Sequence, residues 1–184
     1  MMITTTPQDI LEFWYASEMR AKWFASTPQI DAMIRERFAQ VWESAHTGAL
    51  DHWRDTPTGC LALAIVLDQF PLNMFRGTAK SFSSEQQAVA VTKQAIAQNY
   101  DRQIDKERVA FLYLPLMHSE HMVDQDLCVA LFEAAGLENN LRFARHHREI
   151  VRCFGRFPHR NAILGRTSSA EELAYLDSKE AFKG

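Results

Sequence analysis

The 184-residue sequence predicts an all-α protein. Three observations carry that prediction. Thr-Pro pairs open segments at Thr6-Pro7, Thr27-Pro28 and Thr56-Pro57, apolar residues recur at three- and four-residue steps, and glycines stand where those patterns stop. No alternating apolar and polar run is flanked by Asn-Gly or Asp-Gly, so no hairpin is indicated. The expected architecture is about eight helices packed as antiparallel hairpins in a single domain over residues 1–184.

Thr6 reads as an N-cap with Pro7 at the first helical position, and Ile10, Leu11, Phe13 and Trp14 build the apolar side. Thr27-Pro28 opens a longer helix through Ile30, Ile34, Phe38, Val41 and Ala45, which Gly48 ends. Thr56-Pro57 opens a third, reaching about Gln69. It carries the apolar run Cys60–Leu67, and a helix apolar on all sides is expected at the centre of the domain. Ser83 with Gln86, or Ser84 with Gln87, fits a capping box for a helix to Asn99. Asp105 caps a helix that Pro115 should end or kink. Further helices are expected over Ser119–Ala135 and Glu138–Phe154, stopping at Gly136 and Gly155. Ser168 or Ser169 starts a last short one.

The hydrophobic share of 47% and charged share of 23% exclude wholesale disorder, and a net charge of −3 argues against a dedicated nucleic-acid partner. No apolar run is long enough to span a bilayer, and residues 1–9 lack a signal-peptide pattern, so a cytoplasmic protein without a membrane partner is expected. Cys60, Cys128 and Cys153 form no Cys-x-x-Cys pair and are read as buried reduced thiols. Nothing calls for a cofactor. There is no Walker loop, dinucleotide fingerprint, Gly-x-Ser-x-Gly elbow or His-Glu-x-x-His, and one Glu-x-x-His at Glu43 falls short of a di-iron set, so no metal site is expected.

Chemistry is concentrated in three places. Asp68, near the end of the apolar helix, needs a cation, with Arg76, Arg156 and Arg160 as candidates. The stretch from His118 through Glu120 to Asp124 is the densest polar cluster. His118 and Glu120 are candidates for proton transfer and Asp124 for a binding contact, and capping with a solvated acidic face is the plainer reading. Arg142, Arg145, Arg148, Arg152 and Arg156 form a helical stripe about 120° wide. That stripe either is solvated, pairs with acids on the next helix, or binds an anion. His147 falls on the opposite face with Phe143, Ile150 and Phe154, as a core histidine or a buried base. Two loops echo each other, Phe70-Pro71-Leu72-Asn73 before Gly77 and Phe157-Pro158-His159-Arg160-Asn161 before Gly165.

Leu67–Thr78, Tyr113–Glu120 with Asp124-Gln125, and His147–Val151 with Phe154–Asn161 and Leu164–Arg166 resemble the bacterial family known as domain of unknown function 924. Phe13-Trp14 and Trp23-Phe24 fit as well. The resemblance implies an all-α fold of the tetratricopeptide-like α–α superhelix kind and implies no reaction. Leu72 stands where the family pattern has arginine, which removes one anion contact.

Buried polar groups need partners, so the three regions are expected to converge in one pocket. The expected function is binding of an anionic or phosphorylated small molecule. Arg76, Arg156 and Arg160 would hold the charge, and Asn73 and Asn161 would orient it. Asp68, Asp124 and His159 would complete the lining, with His118, Glu120 or His147 moving protons. The alternative is a helical module that binds a protein or peptide without catalysis.

Overall fold

The computed structural model describes residues 4–183, and every regular element among them is helical. The helices are α1 (Pro7–Tyr15), α2 (Ser17–Arg20), α3 (Pro28–His46), α4 (Pro57–Ala64), α5 (Phe70–Met74), α6 (Glu85–Ala97), α7 (Lys106–His118), α8 (Met122–Ala134), α9 (Glu138–Phe154) and α10 (Ala170–Leu176). The three Thr-Pro starts are real caps. Thr6, Thr27 and Thr56 accept through their side chains from the backbone N–H groups of Asp9, Ile30 and Gly59.

The chain forms two compact units, residues 4–76 with 80–115, and 77–79 with 116–183. In the first, α4 is buried on every side and packs against α1 and α6. Phe38 lies 4.7 Å from Phe13 and 4.8 Å from Phe70, measured between ring centres. The expected continuous helix to Gln69 instead widens into a π-helical turn at Ile65–Gln69 before α5. Pro71 explains the widening. It has no N–H for the Leu67 carbonyl one turn back, and its ring would crowd that oxygen in a regular α-turn. The wide turn relieves the crowding, and the Ser84 hydroxyl donates to Leu67 O at 2.6 Å. Ser84 is therefore no side-chain cap for α6; it also accepts from Trp42 Nε1 at 3.0 Å. Pro115 likewise fails to stop α7, which runs on to His118. Near that proline, the Thr92 hydroxyl donates to the Leu112 carbonyl at 2.7 Å.

In the second unit, α8 and α9 form a hairpin across a three-residue connection. The arginine stripe pairs largely with acids, Arg145 with Glu133 on α8 at 2.8 Å and Arg148 with Asp126 at 2.6 Å. Gly155 closes α9 in the left-handed conformation, φ 69°, where a side chain would be strained. Behind it Ile150, Val151 and Phe157 form a core edged by Met122, Phe154, Tyr175 and Phe182. Three expectations need correcting. Helix α8 begins at Met122, because Ser119 donates to Asp124 and accepts from the His121 N–H without continuing a helix. Cys153 is exposed beside Glu149 and is not a core thiol. Phe143 is 42% exposed and does not share the buried face with His147.

Gly59 gives the fold its clearest test. A Cβ there would stand 1.9 Å from the Trp53 carbonyl oxygen, a backbone atom with no room to retreat. Helix propensity alone favours Gly59→Ala by about 1 kcal/mol. The expected result is the opposite sign, a loss of about 2–3 kcal/mol in denaturant unfolding.

Candidate functional site

Two of the three polar regions meet within the second unit. Glu120, in the turn after α7, accepts from Arg166 Nη1 at 2.7 Å and Nη2 at 2.9 Å, and from the Phe157 N–H at 2.8 Å. Burial works against ionisation of Glu120, but these donors outweigh it and hold the carboxyl below its usual range. The Arg166 Nε also donates to Asn161 Oδ1, and Asn161 Nδ2 donates to Ser168 Oγ. Arg156 grips Glu172 with two bonds, at 2.7 and 2.8 Å, and holds its carboxyl down at about 2. Arg156, Asn161 and Glu120 thus frame the Phe-Pro loop from the protein side.

Gln125, fully buried in α8, fixes the end of α7 by donating to the carbonyls of Met117 at 2.8 Å and Ser119 at 2.6 Å. Between those residues lies His118, whose carbonyl accepts from Arg160 at 2.9 Å. Arg160 is 5% exposed, with its guanidinium carbon 4.7 Å from the centre of the Phe157 ring. Asp124 is buried and accepts from the Ser119 hydroxyl at 2.7 Å.

The remaining groups are histidines. His147, in the middle of α9, faces a Phe143 carbonyl at 2.9 Å from Nδ1. A carbonyl only accepts, so Nδ1 carries the hydrogen and Nε2 the lone pair. Burial first, then the His118 charge, pushes the His147 pKa down to about 3, so the ring is neutral. His159, in the turn Pro158–Arg160, is pushed down to about 4 by burial and then by Arg160. Its Nδ1 is buried and has no hydrogen-bond partner among the described residues. Phe157 and Phe182 each contact both imidazoles. Ring centres lie 5.5 and 5.7 Å from Phe157 to His147 and His159, and 4.4 and 5.1 Å from Phe182.

Residues 67–76 of the first motif belong to the first unit and meet a polar centre there that sequence reading missed. Asp31, in the first turn of α3, accepts from Asn73 at 2.8 Å, Arg76 at 2.7 Å and Ser26 at 2.8 Å. Burial opposes its ionisation, and Arg76, Asn73 and Ser26 together keep the carboxyl below its usual range. Arg76 and Arg156, two of the cations expected for Asp68, are engaged by Asp31 and Glu172, while Asp68 accepts from Gln69. An acid in the first turn of a helix reads as ordinary dipole matching, so no sequence signal distinguished Asp31. Arg166 and Phe182 were also missed. Arg166 is one of seven arginines between residues 142 and 166, with nothing in the sequence to single it out.

Among the described residues no group of three or more His, Cys, Asp or Glu side chains is arranged to hold a metal. No described helix is long and apolar enough to cross a membrane.

A family model described as bacterial protein of unknown function, domain of unknown function 924, matches residues 10–180. The chain belongs to this family. A solved structure of a protein of unknown function from Agrobacterium tumefaciens is 36% identical, with a TM-score of 0.88 over 93% of this chain and 96% of that one. No curated protein matches. The family members' likeness extends over the whole helical frame that carries the histidines and the Phe-Pro loop.

Two measurements test the site's electrostatics. Arg166→Ala leaves Glu120 with one strong donor and should cost about 2 kcal/mol of stability in denaturant unfolding. His147 titrates near 6.5 unfolded and about 3 folded, so the unfolded chain takes up its proton first. Its contribution is complete above about pH 6.5 and falls with decreasing pH by up to about 1.4 kcal/mol per unit. His147→Phe should remove about half of the stability loss between about pH 6.5 and about pH 5, because His159, held at about 4, titrates over the same window, while the loss below about pH 4.5, where Glu120 protonates, should persist.

Proposed function

We propose that the second unit carries a cytoplasmic binding site for an anionic small molecule, contacted by His159, with His147 as a neutral hydrogen-bond acceptor. The observation that carries the reading is the His159 Nδ1. A buried polar atom without a partner is uncommon in a folded protein, and a ligand is one way to supply the missing bond. Arg160, His118 and Arg166 all disfavour a proton on His159, against Glu120 alone. Arg160, the largest of these, favours an anion beside that ring, and the Nδ1–H tautomer can donate to it.

Arg160 supplies that charge, and the Glu120–Arg166 pair, Asn161 and Arg156 hold the loop in place. His147 keeps its Nε2 lone pair in a ring that stays neutral far below physiological pH, so it can accept a hydrogen bond from a ligand but is too weak a base to take its proton. Cys60 and Cys128, both buried and neither in a disulfide, suit a reducing compartment. The alternative of a peptide-binding module has less support. The depression of about 520 Å³ between α8 and α9 is lined by Asp126, Glu133, Arg145 and Arg148, whose charges already pair with one another.

Thermal unfolding in inorganic phosphate and in acetate tests the proposal. An anion at 100 times its dissociation constant adds about 2.7 kcal/mol of stability. The expected outcome is a rise in Tm that His159→Ala abolishes and that Arg142→Ala, on the exposed stripe, leaves intact. An equal rise in the His159 variant, or none in the native protein, refutes it.

A further inference from the structure

The four rings around the candidate site are not held alike. His147 lies within α9, and Phe157 is fully buried with its N–H bonded to Glu120. His159 is fixed by the turn that begins at Pro158. Phe182 comes from residues 177–183, which form no helix or strand. Among the described residues its own backbone is tied by one bond, the Phe182 N–H to the Tyr175 hydroxyl at 2.9 Å, and the same hydroxyl reaches Glu180 O at only 3.5 Å. Phe182 is half-buried, yet its ring centre lies nearer to each histidine than that of Phe157 does. Segments with few backbone hydrogen bonds open at low free energy, well before the unit as a whole. A phenyl ring therefore occupies a seat whose walls are rigid and whose occupant is weakly tethered.

We infer that the seat of Phe182 between His147 and His159 is the binding site of a small aromatic acid, whose ring displaces Phe182 and whose anionic group meets His159. The inference rests on the anion site proposed above and adds the ligand's class. The two imidazoles offer flat, polarisable walls with centres 4.4 and 5.1 Å from the Phe182 ring centre, about the spacing at which aromatic rings pair, and the Phe157 ring packs behind both. The unpartnered Nδ1 of His159 borders the same cluster, so one ligand with a ring and an adjoining carboxylate satisfies both features. An aliphatic acid would reach His159 but leave Phe182 in place. A neutral aromatic would compete for the seat without gaining from Arg160.

The test uses phenylacetate, acetate and 2-phenylethanol with the full chain, following the imidazole ring resonances of His147 and His159 by NMR. Phenylacetate should perturb both rings and drive the Phe182 resonances towards those of an exposed phenyl group. Since occupancy by Phe182 lowers the fraction of open sites, Phe182→Ala should tighten phenylacetate binding by roughly tenfold or more and leave acetate binding unchanged. Phe182→Leu, which keeps the apolar contact, should fall between, and it serves in place of the alanine variant if that chain does not fold. Equal or weaker phenylacetate binding in these variants, or Phe182 resonances that stay put in the native chain, overturns the inference. If acetate perturbs His159 and phenylacetate binds no tighter, the aromatic seat is wrong and the anion site stands. If neither anion perturbs His159, both readings fail.

Discussion

The second unit is organised around the carboxylate of Glu120. One side chain in a short turn accepts both arms of Arg166 and the backbone N–H of Phe157, joining the end of α7 to the loop after α9. The geometry is bidentate and the pair is only about a quarter exposed, with side-chain exposures of 23% and 24%. It therefore fixes direction as well as distance. Phe157 is placed by that bond, and through Phe157 so are the positions of His159 and Arg160 beyond it. Because three donors converge on one acceptor group, no single element sets the loop's conformation alone. The polar residues of the Phe-Pro motif act first as scaffold, and among the described residues the His159 Nδ1 is a buried group that this scaffold does not use.

Much of the fold was legible because helix ends are written in local chemistry. A Thr-Pro pair needs only its own next turn to act as a cap, and all three do so. The failures occur where a distant residue decides. Proline should interrupt a helix, yet Ser84 and Thr92 supply hydroxyls to the carbonyls near Pro71 and Pro115, from 17 and 20 residues away. Those hydroxyls could not be assigned from sequence, and Ser84 looked like an ordinary cap.

The same division applies to the candidate site. The burial of His147 followed from its place opposite the arginine stripe, and it is 4% exposed. The pairing of that stripe with α8 was among the readings left open. What the pattern could not supply was which arginine meets which acid, since every arginine offers the same fork. Arg166 rather than Arg160 takes Glu120 in a bidentate grip, and Arg76 goes to Asp31. Phe182 was invisible for another reason. It lies outside any periodic segment, so hydrophobic spacing gave no cue that it packs against two histidines.

The π-turn at Ile65–Gln69 constrains how this sequence can change its length. It holds one more residue per turn than an α-helix would, and α5 starts from the phase it sets. Removing a single residue there would restore an ordinary α-turn and bring the Pro71 ring back against the carbonyl one turn before it. The phase of the chain beyond would change little, because about five residues of a π-turn cover the rotation of about four in an α-helix. Asn73 and Arg76 would stay near Asp31, and the cost would fall on the turn itself. The extra residue is thus tied to Pro71: a sequence that lost the proline could lose the residue with it, and one that kept the proline could not.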